Sequence, residues 1–567
     1  MPKLALPLGV DDFGGAARKY YVDKTLLIND IITQGEEKSI LITRPRRFGK
    51  SLALSMVDYY FDIKKDSASL FQDKKIQDCG EYVLSKRNAY PVIHLNMKGI
   101  EAHTPSLLLS RVKDRVITLY RNYPELATSE KLSPIERQEY QELATHCGDE
   151  ALFISALERL CRYLEQHYGQ KVILLLDEYG APIESAYQNG FYEEIITFFK
   201  SFYGDAFKGN SHLYFALITG VLQVSKESLF SGLNNLVVSC ISSRFLAPYF
   251  GFSREEVQAM LDYYEIHLSL DQLWSYYGGY ALPDGEEIAN PWSVLSFVSE
   301  RKLRAYWANT GENALLRRVI HSDGSRSSLL DFLNNETKKS PFYSSLSYRD
   351  LDQGEGLSLS FLAATGYLSL KADPENYLED LYSYAIPNKE IYGVFKTEVI
   401  GKEVDTATLS LAEAFKAALS EGDAERIKSI LEEYLLSALS YYDLQDERNY
   451  HNAITGMLAV LFDEYIVKNE VASGTGRCDI ILIPKSPSSI GIVIEVKRSK
   501  SKAQLSKARL QNLSLGAIEQ IKKKDYTEWL RKADCSKILL YGFAFQNKTA
   551  AVATETLSNS KTRPDLA

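Results

Sequence analysis

Two short stretches, far apart in the chain, carry residue types suited to handling phosphate. The first is Gly49-Lys50-Ser51, which follows the apolar run Ile40-Leu41-Ile42-Thr43 and precedes Leu52-Ala53-Leu54-Ser55-Met56-Val57, a segment with the spacing of a buried helix. A glycine at a strand-to-helix turn leaves the N–H groups of the helix's first turn exposed, and the helix dipole favours an anion there. Lys50 reaches the outer phosphates, and the Ser51 hydroxyl can ligate magnesium. The usual pattern opens with another glycine five residues earlier, where this chain has Arg44. Taken alone, the tripeptide fits an ordinary helix start equally well. The second stretch, Lys171-Val172-Ile173-Leu174-Leu175-Leu176-Asp177-Glu178, is a continuous apolar run ending in two carboxylates, the pattern of a strand buried on both faces. Asp177 can hold Mg2+ through water, and Glu178 can orient or deprotonate an attacking water. The plain alternative is a core strand ending at a solvated acidic turn. In this order and at this separation, the two stretches together favour a P-loop that hydrolyses nucleotide.

A third set lies near the end of the chain. Gly474-Thr475-Gly476-Arg477-Cys478-Asp479-Ile480-Ile481-Leu482-Ile483 is followed by Ile490-Gly491-Ile492-Val493-Ile494-Glu495-Val496-Lys497, two strands after a glycine turn. Residues two apart on a strand project from the same face, so Glu495 and Lys497 are neighbours and Asp479 on the preceding strand can meet them. Two carboxylates with a lysine make a hard-cation site: they hold Mg2+, the ion acidifies a bound water and polarises a phosphoryl oxygen, and the lysine positions the nucleophile or offsets charge. An isolated Glu-x-Lys is more often an ordinary strand ion pair.

The elements that must position these groups can be read from pattern. Residues 1 to about 38 form an entry segment. From Ile40 to about Leu246 strands and helices alternate, with Val92-Ile93-His94-Leu95 and Leu213 to Thr219 as further strands and helices from Pro105 to Tyr123 and from Leu152 to Tyr168. This is the α/β pattern of a covered parallel sheet. Thr219, at the end of its strand, is either a γ-phosphate sensor or a plain buried threonine. Ser253-Arg254-Glu255-Glu256 is a capping box, after which the chain turns mainly helical and tyrosine-rich to about residue 400, with helical periodicity again from 408 to 440. A helix from about His451 to Tyr465 then leads into the last domain. The expected division is 1–250, an ATPase domain; 251–440, a helical lid or adaptor; 441–556, a nuclease-like α/β domain; and 557–567, a polar tail.

The 567 residues exceed what one hydrophobic core serves. Six scattered cysteines argue against a zinc site or disulfide framework and for a reducing compartment. No signal-peptide core and no apolar run near the ~20 residues needed to cross a bilayer are present, which gives a cytoplasmic expectation with no membrane partner. A formal net charge of −9 supplies no global attraction for nucleic acid. A local patch does: from Glu495 to Ala533 there are eleven lysines and arginines against four acids, including Lys522-Lys523-Lys524. Such a run also fits a solvated helix face.

Tyr21-Val22-Asp23-Lys24-Thr25, Thr43-Arg44-Pro45-Arg46-Arg47-Phe48-Gly49-Lys50-Ser51 and Leu176-Asp177-Glu178-Tyr179 together resemble the AAA-ATPase-like family of bacterial proteins. Further matches include Ile218-Thr219-Gly220, Asn290-Pro291-Trp292-Ser293, Trp307-Ala308-Asn309-Thr310-Gly311 and Thr365-Gly366-Tyr367-Leu368. In that family the arginine-rich loop is normal. The resemblance implies that Arg46, Arg47, Phe48, Gly49, Lys50, Ser51, Asp177 and Thr219 bind the nucleotide and its Mg2+, with Glu178 catalytic. One departure is Gly180, where the family usually has a second aspartate. Tyr450-His451, Glu470, Gly476-Arg477-Cys478-Asp479, Glu495-Val496-Lys497, Ala517-Ile518-Glu519-Gln520-Ile521 and Tyr526 resemble the PD-(D/E)xK nuclease superfamily. That resemblance implies Asp479 and Glu495 as metal ligands, Lys497 as catalytic, Glu470 as an auxiliary acid, and Gln520 with Tyr526 as contacts to nucleic acid.

The resulting expectation is an ATPase using ATP and Mg2+, or Mn2+, coupled to a metal-dependent nuclease, with DNA ranked ahead of RNA and homo-oligomerisation left open. The alternative is a nucleotide-operated switch whose nuclease-like domain binds nucleic acid without cutting it. Arg244 and Arg254 are the weak candidates for an arginine finger.

Overall fold

The computed structural model describes residues 3–35, 38–146, 149–224, 229, 235–307, 331–334, 336–346, 354–372, 381–400, 406–438, 450, 454, 457–462, 464–473, 476–486, 489–499, 501, 503–533 and 535–558. The chain divides into two compact units, Met1–Val319 with Lys338–Ile391, and Ile320–Thr337 with Tyr392–Ala567.

The first unit is built on strands β1 (Ser39–Thr43), β2 (Val92–Asn96), β3 (Val172–Asp177), β4 (Leu213–Gly220), β5 (Gln223–Val224) and β6 (Leu236–Ser239). Five of them form one sheet in the order β2-β3-β4-β1-β6, every pair parallel. The uninterrupted apolar runs of β1 and β3 follow from this, because all five residues of one and all six of the other are buried and a parallel sheet is covered on both faces. The helices expected over residues 105–123 and 152–168 are Pro105–Arg121 and Ala156–Tyr168, the second preceded by the short turn Glu150–Ile154. Aromatic packing fills one side, with Phe13 stacked on Phe71 at 4.9 Å and Tyr60 edge-on to Phe71 at 5.1 Å.

The entry motif is a clasp. Asp23 accepts from the Thr25 N–H and hydroxyl and, through its other oxygen, from the Lys75 N–H. Lys24 Nζ donates to the Pro248 carbonyl at 3.1 Å and to Glu256 of the Ser253 capping box at 2.8 Å. Beyond that box the helices Arg254–Tyr263, Leu270–Tyr277, Pro291–Glu300 and Glu355–Thr365 dominate. Short strands stand among them: the pair β7 (Tyr280–Ala281) and β8 (Glu287–Ile288), and β9 (Lys338–Pro341), β10 (Ser345–Leu346), β11 (Ser369–Ala372) and β12 (Leu381–Ala385). Of these, β10 pairs with β5, while β11, β12 and β9 make a small sheet. The two-residue strands are too short for any period to register, and β9, β11 and β12 lack the continuous apolar run that marks β1 and β3.

The second unit carries a five-stranded mixed sheet in chain order: β13 (Tyr465–Ser473), β14 (Gly476–Pro484), β15 (Ile490–Arg498), β16 (Lys537–Gln546) and β17 (Thr549–Ser558). Only β15 and β16 run parallel, and their crossover is the helix Lys507–Lys524 with its short successor Glu528–Lys532. The helices Thr406–Glu421 and Ala424–Ala438 belong to this unit, where the Tyr541 hydroxyl donates to the Leu419 carbonyl at 2.6 Å. Tyr465, expected at the end of a helix, instead begins β13, because antiparallel pairing with Pro484 extends the strand that far. His451 lies outside the described residues.

Arg44, in the place of the usual first glycine, is 3 % exposed. Its guanidinium donates to the Ser239 carbonyl at 2.7 Å, the Ser239 hydroxyl at 3.1 Å and the Thr43 carbonyl at 2.8 Å, and lies over the Phe250 ring. It thus bolts the end of β1 to the end of β6, and burial pushes its pKa down to about 10. Arg44→Gly would restore the common pattern yet remove these buried bonds. The expected loss is about 2–4 kcal/mol, read as a fall of roughly 5–10 °C in the midpoint of the unfolding transition of the ATPase-like unit.

Candidate functional site

The register of the parallel sheet brings four strand ends together. Asn96 pairs with Asp177, Leu176 with Ile218, and Ile42 with Thr219, so the carboxyl ends of β2, β3, β4 and β1 share one edge. Ligands of open α/β sheets bind outside that edge. Asp177 is fully buried; its Oδ1 accepts from the Thr219 hydroxyl at 2.5 Å and its Oδ2 from the Asn96 amide at 3.2 Å. The same threonine oxygen accepts from the Glu178 N–H at 3.3 Å. Thr219 therefore orients Asp177 and the start of the following turn.

At the neighbouring end of β1, Gly49 has φ +87° and caps the helix Lys50–Phe61 with no side-chain bond to its first turn. An added Cβ there would meet nothing within 4 Å, so conformation, not space, calls for glycine. Arg47 (φ +68°) and Glu178 (φ +52°) also sit in the left-handed region, which a branched side chain would resist. Lys50 Nζ donates to the Arg44 and Pro45 carbonyls, each at 3.1 Å, and stands 3.6 Å from Glu178. Arg46 pairs with Glu184 at 3.2 Å, and the Arg47 guanidinium lies 4.4 Å from the centre of the Trp292 ring. Phe48 meets Tyr280 edge-on. Arg46, Arg47 and Phe48 line a cavity of about 500 Å³ together with Lys50, Ser51, Glu178, Tyr20, Trp292 and Leu295. Gly180 serves as N-cap of the helix Ala181–Gln188. Arg244 is exposed, and Arg254 is paired with Asp271 and lies over Trp274.

In the second unit, pairing of β14 with β15 reaches Ile480 and Ile494. Just beyond, Asp479 uses its carboxylate: Oδ2 accepts from the Val496 N–H at 2.7 Å. Glu495, 1 % exposed, accepts through Oε1 from Lys497 Nζ at 2.8 Å and from the Gln520 amide on the helix Lys507–Lys524. Its Oε2 is buried and has no hydrogen-bond partner among the described residues. Burial, and then the charge of Asp479, raise the Glu495 carboxyl above the ordinary glutamate value, while Lys497 pulls the other way. A buried carboxylate oxygen without a donor, next to a second carboxylate, fits a divalent cation. The Gln520 amide also donates to the Tyr526 hydroxyl at 3.4 Å; the Tyr526 ring is buried. Lys522 pairs with Glu555 at 2.7 Å and Glu519 at 3.4 Å, and Lys523 is exposed. Lys524 stands 5.8 Å over the Tyr526 ring. Glu470 lies on β13, its side chain outside the described residues. Among the described residues no group of three or more His, Cys, Asp or Glu converges as a metal cluster, and no helix is long and apolar enough to cross a membrane.

Sequence reasoning missed Asn96 and Glu184, and it quoted Trp292 only within a family match, without a role. Asn96 left a signal, a polar residue ending an apolar strand; Glu184 sits on the helix just after Glu178 but meets Arg46 far back in the chain, and Trp292 comes from a distant helix.

Fold and site together define a P-loop-type α/β domain followed by a nuclease-like mixed-sheet domain. Residues 7–230 match the model of a family described as "Predicted AAA-ATPase", and residues 445–555 match that of the PD-(D/E)XK nuclease superfamily, so the chain joins an AAA-ATPase-like domain to a PD-(D/E)XK nuclease superfamily domain. It is also similar, at 29% identity over 320 residues, to a protein of Azotobacter chroococcum mcd 1 described as an uncharacterized protein in the vnfD 5′ region. That alignment spans 56% of this chain and 56% of the relative.

The raised pKa of Glu495 has a definite sign. The carboxyl contributes stability while protonated, below its ordinary value of 4.5, and that contribution is lost as pH rises through the folded-state value. Glu495→Gln is therefore expected to raise the melting temperature at pH 7 to 8 relative to wild type, with the gain shrinking towards pH 4. Thermal melts across that range check the sign.

Proposed function

We propose that the protein hydrolyses ATP in its first unit and cleaves DNA with a divalent cation in its second. The observation that carries the nuclease reading is the buried Glu495 oxygen, without a partner among the described residues, beside Asp479 and Lys497. The ATPase reading rests on Lys50, Glu178 and the Asp177–Thr219 pair at one sheet edge.

In the first unit the N–H groups of the loop and of the helix's first turn receive the phosphates, and Lys50 moves from the Arg44 and Pro45 carbonyls to the outer phosphate oxygens. Ser51 and Asp177 are the residues to hold Mg2+, Asp177 through water because Thr219 and Asn96 already engage its oxygens. Glu178, a quarter exposed in its side chain, accepts the proton of the attacking water.

In the second unit Asp479 and Glu495 are the residues to hold a divalent ion. When bound, the ion would polarise the phosphoryl group and acidify a water. Lys497 stays beside Glu495 and balances the charge that grows on the phosphate oxygens. Gln520 fixes Glu495 by its shared oxygen. Lys523 and Lys524 supply local positive charge for the phosphate backbone, Lys522 less so because Glu555 and Glu519 engage it.

Purified protein incubated with plasmid, linear and single-stranded DNA and with RNA, with and without ATP and Mg2+ or Mn2+, tests the reading. Lys50→Ala should abolish ATP hydrolysis, and Glu178→Gln should keep ATP binding while slowing turnover by roughly a thousand-fold or more. Undiminished hydrolysis by the Lys50 variant would sink the ATPase assignment. Asp479→Ala and Glu495→Ala should lose both cleavage and Mn2+ binding by calorimetry, with DNA affinity equal or tighter; Lys497→Ala should lose cleavage and keep the metal. Mn2+ binding unchanged in both carboxylate variants would place the metal elsewhere.

A further inference from the structure

Four consecutive residues of the phosphate loop each meet a different residue from the helical region that follows in sequence. Pro45 lies against Gly366, where an added Cβ would stand 2.8 Å from Pro45 Cβ and where φ is +91°. The Arg46 carbonyl accepts from Trp307 Nε1 at 3.2 Å. Arg47 covers Trp292, and Phe48 meets Tyr280, whose hydroxyl donates to the Gly366 carbonyl at 3.3 Å. Trp307 is itself seated firmly. Glu390, 3 % exposed, accepts from the N–H groups of Tyr306 at 2.5 Å and Trp307 at 2.6 Å and from the Ser293 hydroxyl at 2.7 Å. The Trp307 ring packs edge-on against Tyr367.

The direction of the indole bond matters. A trans peptide turns its carbonyl and its N–H to opposite sides. Holding the Arg46 carbonyl therefore also fixes where the Arg47 N–H points. Arg46 and Arg47 line the cavity, whereas Trp307, which holds the Arg46 carbonyl, is not one of its lining residues. An anion is bound by N–H groups, and a flipped peptide would offer it a carbonyl instead.

We propose that Trp307, seated by Glu390, is a positioning residue for phosphate binding, its indole N–H holding the Arg46–Arg47 peptide with the N–H side towards the cavity. The inference rests on the reading of this loop as a triphosphate site. Its action is on phosphate and not on the base, so a ligand without a base must feel it equally.

The test uses the full chain, with tripolyphosphate and ATP as separate ligands in calorimetry, and steady-state ATP hydrolysis beside them. Trp307→Phe keeps a ring against Tyr367 and removes the donor. It is expected to melt near the wild-type temperature, to weaken both ligands by the same factor of about five, and to raise KM with little change in kcat. Gly366→Ala pushes on Pro45 from the other side and should give the same pattern more strongly; it also serves as the probe if Trp307→Phe does not fold. Wild-type affinity for tripolyphosphate in a folded Trp307→Phe or Gly366→Ala protein overturns the inference. So does a loss confined to ATP, which would put Trp307 at the base. Failure of the wild-type protein to bind tripolyphosphate would instead overturn the reading of the loop itself.

Discussion

The first unit depends on one fully buried carboxylate. Asp177 ends a strand with no exposure at all, and an acid in that setting is tolerable only if each oxygen is engaged. Thr219 and Asn96 provide this from the strands on either side. That requirement fixes much else. β4 must stand between β1 and β3 so that Thr219 faces Asp177, and the register must bring all the strand ends level. Once they are level, Gly49 and Lys50 at the end of β1 share an edge with Glu178.

In the second unit the corresponding problem is left half solved. Glu495 has one oxygen held twice, by Lys497 and Gln520, and the other held by nothing among the described residues. Asp479 could have completed that oxygen only as a second anion, and its own Oδ2 is committed to the Val496 N–H. A buried carboxylate oxygen left without a donor beside a second carboxylate fits the divalent cation proposed for this site. The two units thus handle buried carboxylates in opposite ways, one by saturation and the other by omission.

Much of this was legible in sequence. The runs of β1, β3 and β15 announce strands buried on both faces, and the step of two from Glu495 to Lys497 places both on one side, where they meet at 2.8 Å. What sequence does not carry is the partner from another element. Trp307, seated by Glu390, reaches the loop only after the chain has folded back over hundreds of residues, and no local period encodes that. Arg44 shows the same limit: its place in the motif suggested a lost glycine, and only the buried Ser239 on β6 shows what the side chain does. The start of β13 was misplaced because an edge strand is defined by its neighbour, here β14, more than by its own pattern.

The hold of Lys50 on the Arg44 and Pro45 carbonyls makes ligand entry an exchange. A ligand that draws the ammonium away strips two carbonyl acceptors of their donor, each bond worth about 1 kcal/mol net. A bond from the ammonium to an anionic oxygen is worth about 1.5–3 kcal/mol, so one such bond already offsets the two carbonyls. On the proposed reading, preference for a polyphosphate over a lone carboxylate then has to come from the N–H groups around the loop, and Lys50 contributes attraction more than choice.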